Sequence, residues 1–374
     1  MSNVKRKICS IILLVMLVTV VLSTLSACHI SDLVGGIFVH KDGVYYTVHV
    51  FRRYVAVHGF DKKDGVEVYE IPSKIKYGAI RYPVKEFFPS SEINHRLVVD
   101  GEITELIVPA TVEELLLMGF SGKGSFQKVT VDENNANYVS VDGIVYSKDK
   151  SQLIYYPPAN ADSILVLPKE TTVLRDTLSG KNNLSAIYVE EGNTSFSAQD
   201  GVLFSADGKK LVCYPLNKRD ETYTMPREWS VLNTYWFERN QYLKHLEVEE
   251  GNTVFSAYNG DLYSADGSLL LYRPNKDSIA VLELPETITT IGLNMLNGVE
   301  FLYVPSGLER VIFDSYGYYD ENYNNPIANV RYIYFEDDQL PFCLRYTNFT
   351  GSVTFGVTRE EFQLDVASRM NRGD

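Results

Sequence analysis

One long repeat runs through the middle of the chain and restricts it to an array of stacked units. Three segments align: Tyr138 to Ser147 (YVSVDGIVYS), Phe196 to Ser205 (FSAQDGVLFS) and Phe255 to Ser264 (FSAYNGDLYS). Their glycines, Gly143, Gly201 and Gly260, recur at an almost constant step. Two series of prolines keep that step, Pro157, Pro215 and Pro274, then Pro168, Pro226 and Pro285. A unit of this kind cannot bury its apolar face alone, so neighbours must stack on it.

Each long unit contains a hairpin signal. Between Gly201 and Tyr214, alternating apolar runs flank Asp207-Gly208, a pair that accepts the positive φ of a tight turn. Asp266-Gly267 repeats it, and Asp149-Lys150 is a weaker version. The hairpins are expected to project from the stack or lie over it. A shorter step separates strand-like runs: Leu106 to Val129 is 23 residues, and Leu165/Leu167 pair in the same sense with Ile187/Val189, as do Leu282/Leu284 with Leu302/Val304. A step of 20–29 residues with apolar strands is the leucine-rich-repeat range.

The string Ile103-Thr-Glu-Leu-Ile-Val-Pro-Ala-Thr-Val-Glu-Glu-Leu, with Gly119-Phe120-Ser121-Gly122 after it, resembles the BspA-like leucine-rich-repeat family of bacterial surface proteins. In that family a leucine-rich strand ending in Ile-Pro leads to an Ala-Phe-x-Gly turn. The run from Val131 to Ser147 and its two later copies match the family's hairpin-bearing unit. The resemblance is strong over residues 100–310 and weaker over 40–100, where Tyr69-Glu-Ile71-Pro72 and Tyr82 to Phe87 look like a degenerate first unit. The Ala-Phe position is eroded at Thr177-Leu178 and Met295-Leu296. The resemblance implies a β-rich leucine-rich-repeat solenoid with inserted β-hairpins, an N-terminal β cap and a short C-terminal helix. It also implies adhesion, or contact with host or matrix, as the function.

The ends fit a capped array. Residues 37–60 alternate around Asp42-Gly43 and read as covering strands. Thr358-Arg-Glu-Glu361 is a capping box, and Phe362, Val366 and Met370 then recur every four residues, so a short amphipathic helix is expected to close the C-terminal end. The division expected is 1–27 signal peptide, 28–36 tether, 37–100 β cap with the degenerate first repeat, 101–357 solenoid, and 358–374 helix and tail.

Residues 1–27 have the form of an export signal. Lys5, Arg6 and Lys7 precede an apolar run from Ile8 to Leu22, too short to span a bilayer. Leu25-Ser26-Ala27-Cys28 then resembles a bacterial lipobox, which makes Cys28 the lipidation residue and the new N-terminus. The protein is therefore expected in the cell envelope, lipid-anchored to the outer face of a bacterial membrane, and acyl chains on Cys28 are its only membrane contact. Ordinary cleavage with a free Cys28 thiol, or an uncleaved anchor, are the alternatives. Of the other cysteines, Cys9 lies in the signal, while Cys213 and Cys343 sit in strand-like runs and read as small buried apolar residues rather than a disulfide.

The whole chain carries a formal charge of -13, and loss of the signal leaves 32 basic residues against 48 acidic ones. That balance argues against a nucleic-acid partner, since a phosphate backbone needs a net basic face. The catalytic signatures sought, H-E-x-x-H, the P-loop and G-x-S-x-G, do not occur. No cofactor and no metal are expected. His49 and His58 straddle a hairpin and read as a packed or exposed pair. Glu190-Glu191-Gly192 and Glu249-Glu250-Gly251 recur at the repeat period and read as turn residues, and Asp132 to Asn137 as a polar loop between coils. The Tyr-rich stretch Tyr316, Tyr318, Tyr319 and Tyr323 breaks the repeat and has the composition of a paratope. It reads either as a loop shielding strand edges or as the ligand-binding loop. Arg372-Gly373-Asp374 reads as a frayed terminus. The function expected is non-enzymatic: binding of a protein or glycan through a repeat face and the Tyr-rich loop. An envelope scaffold is the alternative, and a glycan hydrolase ranks third.

Overall fold

The computed structural model describes residues 36–61, 66–89, 103–117, 124–175, 178, 182–274, 280–296, 298–312, 330–344 and 349–372. The fold is β-rich and of the leucine-rich-repeat type. It falls into two compact units: residues 1–161 with 173–182, and residues 162–172 with 183–374.

In the first unit, Ile37–Lys41, Val44–His49 and Tyr54–Phe60 form an antiparallel run. Its first turn is Asp42-Gly43, with both residues at positive φ as the sequence indicated. Tyr54–Phe60 then pairs in parallel with Ile80–Phe87. His49 stacks on Tyr54 at 4.5 Å. His58 shares a 2.8 Å hydrogen bond between Nε2 and the Thr47 hydroxyl. The parallel repeat ladder begins at Val68–Glu70 and continues through Glu105–Val108 to Lys128–Val131. Leu106 lies opposite Val129, the pair that the shorter sequence step predicts. In the second unit Leu165 and Leu167 lie opposite Ile187 and Val189, and Leu282 lies opposite Leu302.

The inserted element is larger than a hairpin. Each copy is a three-stranded antiparallel meander: Tyr138–Val141, Ile144–Ser147 and Gln152–Tyr155 in the first, Phe196–Gln199, Val202–Ser205 and Leu211–Cys213 in the second, Phe255–Tyr258, Asp261–Ser264 and Leu270–Tyr272 in the third. The additional turn is Asp142-Gly143, repeated as Asp200-Gly201 and Asn259-Gly260. All six residues have positive φ, between 49° and 80°. This is the type I′ geometry that matches strand twist. Gly201 is also required for space, because a Cβ there would lie 2.8 Å from the Cβ of Ala186.

Three asparagines at the repeat period hold each meander to the coil before it. Asn135 donates from Nδ2 to the carbonyls of Pro109 (3.0 Å) and Val112 (2.9 Å). Its Oδ1 accepts the N–H groups of Asn137 and Tyr138, both at 2.9 Å. Asn193 repeats the pattern with Pro168 and Thr171, and Asn252 with Pro226 and Trp229. Each side chain thus satisfies four main-chain groups in a turn that regular pairing cannot reach. Asp132 to Asn137 is a loop between coils, as its sequence suggested, with Asn135 as the clamp.

The paired glutamates are also turn residues. The Glu190 carboxylate accepts the Lys169 N–H and the Glu249 carboxylate the Arg227 N–H, both at 3.0 Å. Cys213 is a buried strand residue, as expected, and both it and Cys343 are free. The strand reading at Cys343 is corrected: Phe342–Leu344 is a 3₁₀ turn, closed by the Leu344 N–H onto the Pro341 carbonyl.

Candidate functional site

The residues singled out in sequence as sites, Cys28 and Tyr316, Tyr318, Tyr319 and Tyr323, lie outside the described residues. Arg372 of the terminal Arg-Gly-Asp is described: its guanidinium donates to the Ser368 hydroxyl at 2.7 Å and the Ser368 carbonyl at 3.2 Å. The candidate surfaces are therefore the outward faces of the repeat sheets, and two of those in the second unit differ in one respect.

The terminal sheet is parallel and consists of Ala280–Glu283, Val299–Val304, Tyr332–Phe335 and Ser352–Thr354. Alternation along its strands sends Leu302, Val304, Ile333 and Phe335 into one core. Phe301, Tyr303 and Tyr334 point to the other face. That face is covered by the C-terminal helix, Arg359–Arg372, through Phe362 and Val366. Burial of those two side chains contributes about 1.5–3 kcal/mol each. The helix was expected to close the end of the array; it lies instead across a sheet face. Its capping box forms as read, with the Glu361 carboxylate accepting the Thr358 N–H at 2.9 Å. Met370, the third residue of the expected stripe, is exposed.

Polar contacts fix the helix in place. Arg359 donates to the Glu283 and Glu286 carboxylates, and to the Leu284 carbonyl at 3.0 Å. Its guanidinium also lies 4.9 Å from the centre of the Tyr303 ring. Burial works against ionisation of Glu283, but hydrogen bonds from Arg359 and Gln363 outweigh it and hold the carboxyl below its usual range. The Tyr334 hydroxyl donates to Asp365 at 2.5 Å, and Arg369 donates to the same oxygen at 2.8 Å.

The second surface, here called the open sheet, consists of Ile164–Leu167 and Ala186–Val189. Leu165, Leu167 and Ile187 are buried. On the opposite face Ile164, Val166 and Tyr188 are 49%, 51% and 48% exposed. The register sets Val166 beside Tyr188 and Ile164 beside Ala186, so these side chains form one contiguous apolar patch.

A third feature is a groove of about 580 Å³ beside strand His245–Val248, lined by Val248, Glu249, Gly251, Phe255 and Ala257 among others. In the first repeat the equivalent gap is bridged: the Val131 N–H donates to the Ser140 hydroxyl at 3.0 Å. The residues at the Ser140 position in the second and third repeats are Ala198 and Ala257, which offer no acceptor.

No protein-family model matches the chain, and no curated protein matches it. Solved structures do. The pneumococcal vaccine antigen PcpA is similar at 17% identity and TM-score 0.42, over 87% of this chain and 99% of that one. A leucine-rich cell surface protein from Faecalibacterium prausnitzii is similar at 13% identity and TM-score 0.36, over 87% and 97%. A leucine-rich repeat protein from Eubacterium ventriosum is similar at 15% identity and TM-score 0.38, over 84% and 83%. Superpositions this loose carry no weight for function. The architecture rests on the parallel ladders and the repeated clamps.

Proposed function

We propose that the chain is a lipid-anchored bacterial surface protein that binds a protein or glycan partner, without catalysis, through an outward face of its repeat sheets and the Tyr-rich loop. The observation that carries the reading is the apolar patch of Ile164, Val166 and Tyr188, each about half exposed on the outward face of the open sheet. The Leu-Ser-Ala-Cys28 motif supplies the anchor, since acyl chains contribute roughly 0.8 kcal/mol per buried CH₂.

The test is a binding screen of residues 29–374 against glycan and matrix-protein arrays. Two variants accompany it: Val166→Asp with Tyr188→Asp, and Tyr316, Tyr318, Tyr319 and Tyr323 all changed to Ser. A hit lost in either variant places the site. An array without hits from well-folded protein rejects surface recognition and favours an envelope scaffold. Metabolic labelling with palmitate tests the anchor: label must enter the intact chain and be lost in Cys28→Ala.

A further inference from the structure

Strands that are apolar on both faces need cover on both faces. Two sheets of the second unit have that composition. The terminal sheet carries Phe301-Leu-Tyr-Val304 and Tyr332-Ile-Tyr-Phe335, and the chain supplies its second cover, the helix Arg359–Arg372. The open sheet carries Ile164-Leu-Val-Leu167 and Ala186-Ile-Tyr-Val189, and its outward face remains about half exposed at Ile164, Val166 and Tyr188.

We infer that the open sheet is a docking face for an amphipathic helix of a partner protein, one with an apolar stripe and basic flanks. This rests on the reading of the outward sheet faces as the binding surface and names what one of them takes.

Three observations select a helix of that charge. The first is the covered sheet itself, where the occupant presents Phe362 and Val366, one helical turn apart, and clamps the strand acid Glu283 and the turn acid Glu286 with Arg359. The second is dimension. Two paired strands are about 10 Å across with their side chains, the diameter of one helix. Ile164 and Val166 lie about 6.7 Å apart along their strand, close to the ~6 Å rise between residues i and i+4 of a helix. The third is charge. Among the described residues of the two strands and their adjoining turns, exposed Asp162 stands at one end of the patch, and exposed Glu170, Glu190 and Glu191 stand at the other, with Lys169 as their one basic neighbour. An acidic rim around an apolar centre favours a basic-flanked partner and disfavours an acidic one.

The probe is a fluorescent synthetic helical peptide with Leu and Phe at i, i+4 and i+7 and arginines beside the stripe, titrated into the mature chain. Its controls are a peptide of the same composition with the stripe scrambled, a version with glutamates in place of the arginines, and anionic phospholipid vesicles. The striped basic peptide is expected to bind at least tenfold more tightly than the scrambled and acidic ones. Val166→Asp with Tyr188→Asp should weaken it at least tenfold, whereas Tyr188→Phe should leave it unchanged. These sites are surface-exposed, and circular dichroism checks that each variant is folded.

Equal binding of the scrambled peptide, or binding indifferent to Val166→Asp with Tyr188→Asp, overturns the inference. So does binding to vesicles alone. An array hit that is lost in Val166→Asp with Tyr188→Asp, while the striped peptide fails to bind, keeps the sheet face as the binding site and rejects the helix. Silence in both assays rejects both readings.

Discussion

The second and third meanders share a backbone and differ in what fills it. The second has Val202 and Tyr214 in its interior; one repeat later, the third has Asp261 and Arg273 at the same two positions. Both meanders keep the same two turns and the same register, including the irregularity after Leu203 and Leu262. In the third, Asp261 and Arg273 form a buried ion pair with Nε 3.5 Å from Oδ2, and Arg273 also donates to the Met295 carbonyl at 3.0 Å. In the second, Tyr214 is buried against Tyr223 and Phe237. The shape of the meander is therefore set by its turns and its asparagine clamp. The interior pair is a replaceable filling, provided that both members change together.

The largest expected effect follows from breaking that condition. Asp261→Ala leaves Arg273 buried and unpaired and should cost about 3–5 kcal/mol, read as a drop in urea midpoint at constant slope. Val202→Asp should damage the second meander comparably by burying a carboxylate without a cation. The double change Asp261→Val with Arg273→Tyr installs the second meander's pair in the third. It should restore stability to the wild-type level or above it, because apolar replacements of buried ion pairs are often neutral or stabilising. A double variant as unstable as Asp261→Ala would show that the meanders are not interchangeable.

A smaller and equal effect is expected at the clamps. Asn193→Ala and Asn252→Ala each strand the same four main-chain groups, which partial exposure lets water reach, so each should cost about 1–2 kcal/mol. A difference above about 1 kcal/mol between them would mean that the ion pair of the third meander is coupled to its clamp.

The smallest effect is electrostatic and local. Asp266 accepts hydrogen bonds from the Ser264 hydroxyl (2.6 Å) and from the Ser268 N–H (3.0 Å) and hydroxyl (2.8 Å), and these hold its carboxyl at about 2. Asp207 has the Ser205 hydroxyl and the Lys209 N–H, and is also lowered. A carboxyl depressed in the folded state contributes stability that is full above the unfolded value near 3.8 and is lost as pH falls toward about 2. Ser268→Ala should raise the Asp266 titration, followed by carboxyl NMR, and so move the acid loosening of the third meander to higher pH. The Asp207 titration should not move.

Most of the repeat architecture was legible because it rests on local chemistry. The step between Leu106 and Val129 is a direct ladder pair, and Asp42-Gly43 is the expected turn. Asp200-Gly201 carries the same turn signal, but taken only as a landmark of spacing it leaves each meander one strand too short. The clamps Asn135, Asn193 and Asn252 keep the long repeat as well, but their role depends on carbonyls of the preceding coil, which no local pattern reveals. The capping box fixed where the helix starts, through Thr358 and Glu361. It could not say where the helix docks. That information lay in the strands: Phe301 and Tyr303, alternating with Leu302 and Val304, left no face for water. Of the candidate site, the repeat face was legible as a surface, whereas the exposure of Ile164, Val166 and Tyr188 depends on what the rest of the fold leaves bare.

The clamps also dictate how such a chain can lengthen or shorten. Asn193 hangs its meander on Pro168 and Thr171, and Asn252 does so on Pro226 and Trp229. Excising one coil would orphan an asparagine, and inserting one would part it from its carbonyls. The module that can be duplicated or deleted without leaving loose ends is therefore the full block from one clamp to the next, coil and meander together, as from Asn193 to the residue before Asn252. A gene encoding this array should grow by whole blocks, each arriving with its own fastening.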